Sequence, residues 1–69
     1  MKINLGNRLK ELRKEKGLTQ SEIAKIFNIS PVAYLHYEKN QRQPPLELLA
    51  DFANYFNVTT DYLLGISNY

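Results

Sequence analysis

Apolar side chains recur along this chain with helical spacing, and no stretch alternates convincingly with period two. Leu5, Leu9 and Leu12 fall at i, i+4 and i+7 among Arg8, Lys10, Glu11 and Lys14, which predicts an amphipathic first helix. Gly17, just beyond a lysine-rich last turn, is placed to stop it. The run TQSE at residues 19–22 fits a capping box, in which the Thr19 hydroxyl accepts from the Glu22 amide and the Glu22 carboxylate reaches back to the Thr19 amide. The second helix that follows is expected to bury Ile23 and Phe27, with Ala24 and Ile26 beside them. It must end near Asn28, because Ser30 and Pro31 open another helix as cap and first residue. Asn28 tolerates the left-handed backbone angles that so tight a turn requires. After the loop NQRQPP, Leu49, Phe52, Ala53 and Phe56 predict a fourth helix, and Thr59 caps a short fifth that ends at Gly65. The pattern is all-α.

The third helix poses the functional question, because Val32, Tyr34, Leu35, His36 and Tyr37 crowd it too closely for one face to hide them all. Tyr34 and Tyr37 share a side with Ser30 and Glu38, whereas Val32, Leu35, His36 and Lys39 follow at i, i+3, i+4 and i+7 on another. If the tyrosines are anchored inward, the second strip faces outward. Two aliphatics, a histidine and a lysine make an unusual solvent face. Apolar groups can meet thymine methyls in a major groove, and the histidine and lysine can meet base edges or phosphates. The same strip would also suit a neighbouring helix or a second copy of the chain.

Composition narrows the classes. At 69 residues with 43% hydrophobic content, the chain makes one domain with a small core, expected to span residues 1–69. The absence of cysteine excludes a disulfide framework and thiolate metal sites. With no apolar leader and no long apolar run, a cytoplasmic location is expected. A single histidine, no glycine-rich phosphate loop and no carboxylates at catalytic spacing argue against an enzyme and against any cofactor or metal. The net charge of +2 divides unevenly. Residues 1–43 carry all nine Lys and Arg against four acids, for a net of +5, and residues 44–69 carry a net of −3. A basic front of this kind suits a polyanion.

Residues 18–44, LTQSEIAKIFNISPVAYLHYEKNQRQP, resemble the helix-turn-helix of the Cro/phage-repressor (XRE-type) family, and the flanks LGNRLKELRKEKG and LELLADFANYFNVTTDYLLG agree. The resemblance covers about 60 of the 69 residues. It implies a compact five-helix lambda-repressor-like DNA-binding domain, with the helix-turn-helix at about residues 19–39, helices four and five at about 45–65, and helix three as recognition helix. By that resemblance, Ser30, Pro31, Val32, Leu35, His36 and Lys39 are the base-reading positions. Gln20, Gln41 and Arg42 lie along phosphates, joined by backbone amides at the start of helix two and by Arg8 or Arg13. Glu38 pairs structurally with Arg13, Ala24 lets helices two and three approach, and Ile23, Ile29, Tyr34 and Tyr37 are buried. Some positions depart from the common pattern. Asn28 and Asn40 stand where glycine is frequent, and Pro45 stands in place of a serine cap. Pro31, Val32 and Leu35 replace side chains that are commonly polar, so readout is expected to lean on methyl contacts, His36, Lys39 and DNA shape.

The function so implied is a sequence-specific, double-stranded-DNA-binding transcriptional regulator, a repressor acting as a dimer on a two-fold-related operator. Tyr55, Tyr62, Leu64, Ile66 and Tyr69 offer a candidate homodimer surface. The rival reading is a protein-interaction or antitoxin-like module on the same fold. The chain could also be the DNA-binding part of a larger regulator.

Overall fold

The computed structural model of the protein describes residues 4–67. Five helices follow one another: α1 (Leu5–Glu15), α2 (Gln20–Ile26), α3 (Pro31–Glu38), α4 (Leu46–Phe56) and α5 (Thr60–Leu64). The described residues contain no strand. The fold is the all-α, five-helix arrangement that the periodicity predicts.

The caps show why short helices succeed one another so tightly. Thr19 and Glu22 close the capping box on α2, with Thr19 Oγ1 accepting from the Glu22 amide at 3.1 Å and Glu22 Oε1 from the Thr19 amide at 2.8 Å. Ser30 accepts from the Ala33 amide on α3, and Thr59 from the Tyr62 amide on α5. The other ends share one device. Each helix passes into a left-handed residue, in order Gly17, Asn28, Asn40, Asn57 and Gly65. The amide of the next residue then returns to a carbonyl five residues before it: Leu18 to Arg13, Ile29 to Ala24, Gln41 to His36, Val58 to Ala53 and Ile66 to Asp61. This six-to-one closure satisfies carbonyls that would otherwise be orphaned and reverses the chain within a few residues. Asparagine serves where glycine is absent because its short side chain tolerates the left-handed region.

The apolar stripes meet in one core. Leu9, Ile23, Ala24, Tyr34, Phe52 and Leu63 have no exposed area, so every helix contributes at least one side chain to the centre. Phe27 stands edge-on to Phe52 at 4.7 Å between centroids and to Tyr55 at 5.4 Å, the geometry that ring quadrupoles favour. Two expectations for α2 need correction. Ile26 is 47% exposed, because the buried side of the helix is centred between Ile23 and Ala24 and, at about 100° per residue, Ile26 falls well off it. Phe27 and Ile29 are only partly buried against the core.

α1 and α3 approach so closely that only glycine fits at position 6. A Cβ there would lie 2.1 Å from the Glu38 carbonyl oxygen, far inside van der Waals contact. The side chain of Asn40 also crosses from the end of α3 to accept from the Gly6 amide at 2.9 Å. It thereby caps α1 from elsewhere in the chain, since Asn4 makes no side-chain cap. Gly6→Ala is expected to cost about 1–3 kcal/mol through overpacking, read as a lowered urea midpoint. An unchanged midpoint would mean that the crossing relaxes freely.

Candidate nucleic-acid interface

The two helices of the helix-turn-helix are held by a buried polar cluster. Arg13 of α1 and Glu38 of α3 are both 8% exposed. Arg13 Nε donates to Glu38 Oε2 at 2.6 Å, and Nη2 donates to Oε1 at 3.3 Å. Arg13 Nη1 donates to the Leu18 carbonyl at 2.8 Å, and Gln20 Nε2 of α2 donates to Glu38 Oε1 at 3.1 Å. One carboxylate therefore ties α1, α2 and α3 together. Burial alone would raise the Glu38 pKa, but donation from Arg13 and Gln20, with the Tyr34 hydroxyl close by, outweighs it and holds the carboxyl below the ordinary value. Glu38 raises the Arg13 pKa in return. The Tyr34 hydroxyl is buried at this cluster without hydrogen-bonding geometry to any acceptor. Burial first, and then Glu38, push its pKa above the usual tyrosine value, so the proton stays on.

This cluster fixes which side of α3 faces out. Tyr34 is fully buried and Tyr37 is 6% exposed. Ser30, Pro31, Val32 and Lys39 are exposed, Val32 at 61%. Leu35 and His36 are only half-exposed, so the outward strip is narrower than its spacing suggests. Leu35 follows Tyr34 by about 100° and sits on the flank of the helix, not at its outer pole. Ser30 Oγ accepts from the Ala33 amide, which leaves its O–H free to donate.

The basic residues divide by use. Arg13 is turned inward with its donors engaged, so the phosphate contact expected of it is withdrawn. Arg8 stacks over the Tyr62 ring at 4.3 Å and Lys16 over the Tyr55 ring at 4.9 Å. Arg8 thus braces α1 against α5. Lys25, Lys39, Gln41 and Arg42 stand exposed at the end of α2, the end of α3 and the loop beyond it. Gln20 is half-buried, with one amide hydrogen given to Glu38 and the other still available. Gly6 and the capping role of Asn40 escaped the sequence reading. Neither leaves a local signal, because Asn40 and Gly6 are 34 residues apart.

Of the proposed dimer residues, Tyr55 and Tyr62 are half-buried under those cations, Leu64 is half-buried and Ile66 is 47% exposed. Tyr69 lies outside the described residues.

The helix-turn-helix family profile matches residues 9–63. The chain is 44% identical over 63 residues to the HTH-type transcriptional regulator ImmR of Bacillus subtilis, covering 91% of this chain and 50% of that protein. Among solved structures it superposes on a transcriptional regulator from Listeria innocua with a TM-score of 0.88, at 29% identity over 94% of this chain and 61% of the other. It superposes on the P22 c2 repressor, solved in complex with a synthetic operator, with a TM-score of 0.83 at 27% identity, covering 91% of this chain and 96% of the repressor. The chain spans about half the length of the curated relatives it matches. It belongs to the helix-turn-helix family, in its Cro/phage-repressor (XRE-type) branch.

Proposed function

We propose that the protein is a sequence-specific, double-stranded-DNA-binding transcriptional regulator without catalytic activity, a repressor that works in the cytoplasm as a dimer on a two-fold-related operator. The observation that carries this reading is the division of α3: Tyr34 and Tyr37 are sealed into the core while Ser30, Pro31, Val32 and Lys39 face out. An α-helix presented this way enters a major groove, where apolar groups distinguish thymine by its methyl. Lys39, Arg42, Gln41 and the second amide hydrogen of Gln20 are the phosphate donors, so affinity falls steeply with salt. The whole of residues 1–69 acts as one DNA-binding unit. The names of its relatives agree, both the HTH-type transcriptional regulators and the operator-bound P22 c2 repressor.

One observation favours a second reading. Pro31, Val32 and the half-exposed Leu35 give α3 more apolar surface than polar donors, which would also suit a protein partner, as in an antitoxin-like module. Selection of bound sites from random duplex DNA separates the two. A recurring two-fold-related sequence supports DNA reading, and recovery of no preferred sequence supports the protein partner. On the recovered site, Val32→Ala and His36→Ala are each expected to lose about 1–3 kcal/mol while hardly changing non-specific binding. Equal losses on both DNAs would remove α3 as the reader. Val32 is a cleaner probe than Leu35, whose half-burial mixes binding with folding.

A further inference from the structure

Asn40 is where the chain leaves the recognition helix, directly after Lys39 and directly before Gln41 and Arg42. Its φ of 59° lies in the left-handed region, where glycine would serve as well or better. The turn therefore does not account for an asparagine. The side chain does something glycine cannot: Oδ1 accepts from the Gly6 amide at 2.9 Å, across 34 residues of sequence. Position 6 admits the approach because it has no Cβ, which would stand 3.0 Å from Asn40 Nδ2 as well as against the Glu38 carbonyl. The post to which Asn40 is tied is itself fixed. The Asn4 amide donates to the Leu64 carbonyl at 3.0 Å, and Leu5 is buried. By contrast, residues 41–45 contain neither helix nor strand, and Pro44 and Pro45 have no N–H to donate. Leu5, Asn40 and Arg42 line one recess, so the loop leaves α3 along the start of α1.

We propose that Asn40 is a positioning residue for DNA binding, its carboxamide fixing the path of the loop that carries Gln41 and Arg42. The inference rests on the reading above that these two side chains meet phosphates, and it names what aims them. Without this bond the turn is held by two backbone bonds, Asn40 to the Tyr37 carbonyl and Gln41 to the His36 carbonyl. Both run back to α3 itself, whereas the carboxamide ties the loop across to α1. A donor already held in place loses little freedom when it meets a phosphate. A donor on a loose loop loses more, and affinity falls by the difference. Phosphate contacts carry no direct sequence information, so the effect falls equally on specific and non-specific duplex. The outward strip of α3 stays in place, because Tyr34, Tyr37 and the Arg13–Glu38 pair hold the helix.

The test compares wild type with Asn40→Gly, which keeps the left-handed turn and deletes the bond, on the selected site and on unrelated duplex. Asn40→Gly is expected to weaken both by about three- to tenfold and to flatten the salt slope by about one. In that background Arg42→Ala should cost clearly less than it costs wild type, a coupling that arises only if Asn40 acts through the loop. Affinity within about twofold of wild type with an unchanged salt slope, or an undiminished loss from Arg42→Ala, overturns the proposal. Glycine also loosens any backbone, so Asn40→Asp, which keeps an acceptor for the Gly6 amide, is compared by amide order parameters. Those of Gln41 and Arg42 should stay near about 0.85 in wild type and Asn40→Asp and fall below about 0.6 in Asn40→Gly. Asn40→Asp as mobile as Asn40→Gly, or an Asn40→Gly loop that keeps its order, overturns the proposal as well. Should wild type bind no duplex, the DNA reading itself fails, and the order parameters alone decide whether Asn40 fixes the loop.

Discussion

Phe52→Ala should leave the protein largely unfolded at room temperature. Phe52 has no exposed surface. Phe27 meets its ring at 4.7 Å between centroids, Tyr34 at 6.2 Å and Tyr37 at 6.4 Å, all edge-on. Side chains from α3 and from the C-cap of α2 thus converge on one ring of α4. Deleting such a ring costs about 3–5 kcal/mol, transfer and cavity together. A cysteine-free core of this size rarely supplies more than about 3–5 kcal/mol in total. The two quantities cancel, so little native population should remain. Far-ultraviolet circular dichroism should show most of the helical signal gone, while Asn54→Ala, at an exposed position of the same helix, keeps it. A folded Phe52→Ala variant with a near-normal melting curve would mean that the three remaining rings repack around the hole.

That core was legible because it is written in short-range signals. Leucines three and four apart, Thr19 with Glu22, and Ser30 with Pro31 each specify an element from within a few residues of it. The turns were legible wherever glycine or asparagine follows a last helical turn. Asn57 was the exception, although it ends α4 as Asn28 ends α2, with Val58 and Ile29 closing onto Ala53 and Ala24 by the same bond. The pairing of Phe-Asn with an aliphatic residue at both places, residues 27–29 and 56–58, was the available clue.

Distances between helices were not legible. Spacing along α3 separates the tyrosine side from the leucine–histidine side, but it does not say how deeply the helix is seated. Leu35 and His36 therefore prove half-covered where a free surface was expected. Charge misled in a similar way. A basic front suggests a basic surface, yet Arg13 lies in the core and Arg8 and Lys16 rest on tyrosine rings. Guanidinium and ammonium groups settle on whatever acceptor or ring the tertiary fold offers. The need for glycine at position 6 likewise appears only when α1 crosses α3.

The second large effect belongs to the charge cluster. Glu38→Ala would leave the Arg13 guanidinium buried with only the Leu18 carbonyl for a partner, and Gln20 without an acceptor. Breaking a buried pair from one side costs about 3–5 kcal/mol, chiefly because the remaining charge stays uncompensated. Replacing both residues, as in Arg13→Met with Glu38→Met, removes that penalty and should recover most of the loss, since buried ion pairs are often no better than apolar packing. Acid should act on the same group. Its folded pKa lies below the ordinary glutamate value of 4.5, so its contribution is complete above about pH 4.5 and disappears as pH falls through the folded value. Glu38→Gln should therefore be less stable at neutral pH but lose less stability on acidification below that point. Glu22 adds to the same acid limb, because the Thr19 amide and hydroxyl hold its pKa down within the capping box, so Glu22→Gln is the necessary control. The double methionine variant then asks what the cluster is for. If Glu38 serves only stability, that variant should bind the selected DNA as wild type does. If the carboxylate sets the angle between α2 and α3 and orients Gln20 toward the phosphates, the variant should fold and yet bind specific and non-specific DNA more weakly, with a shallower salt dependence. Full stability with unchanged binding would reduce the cluster to a space-filling role.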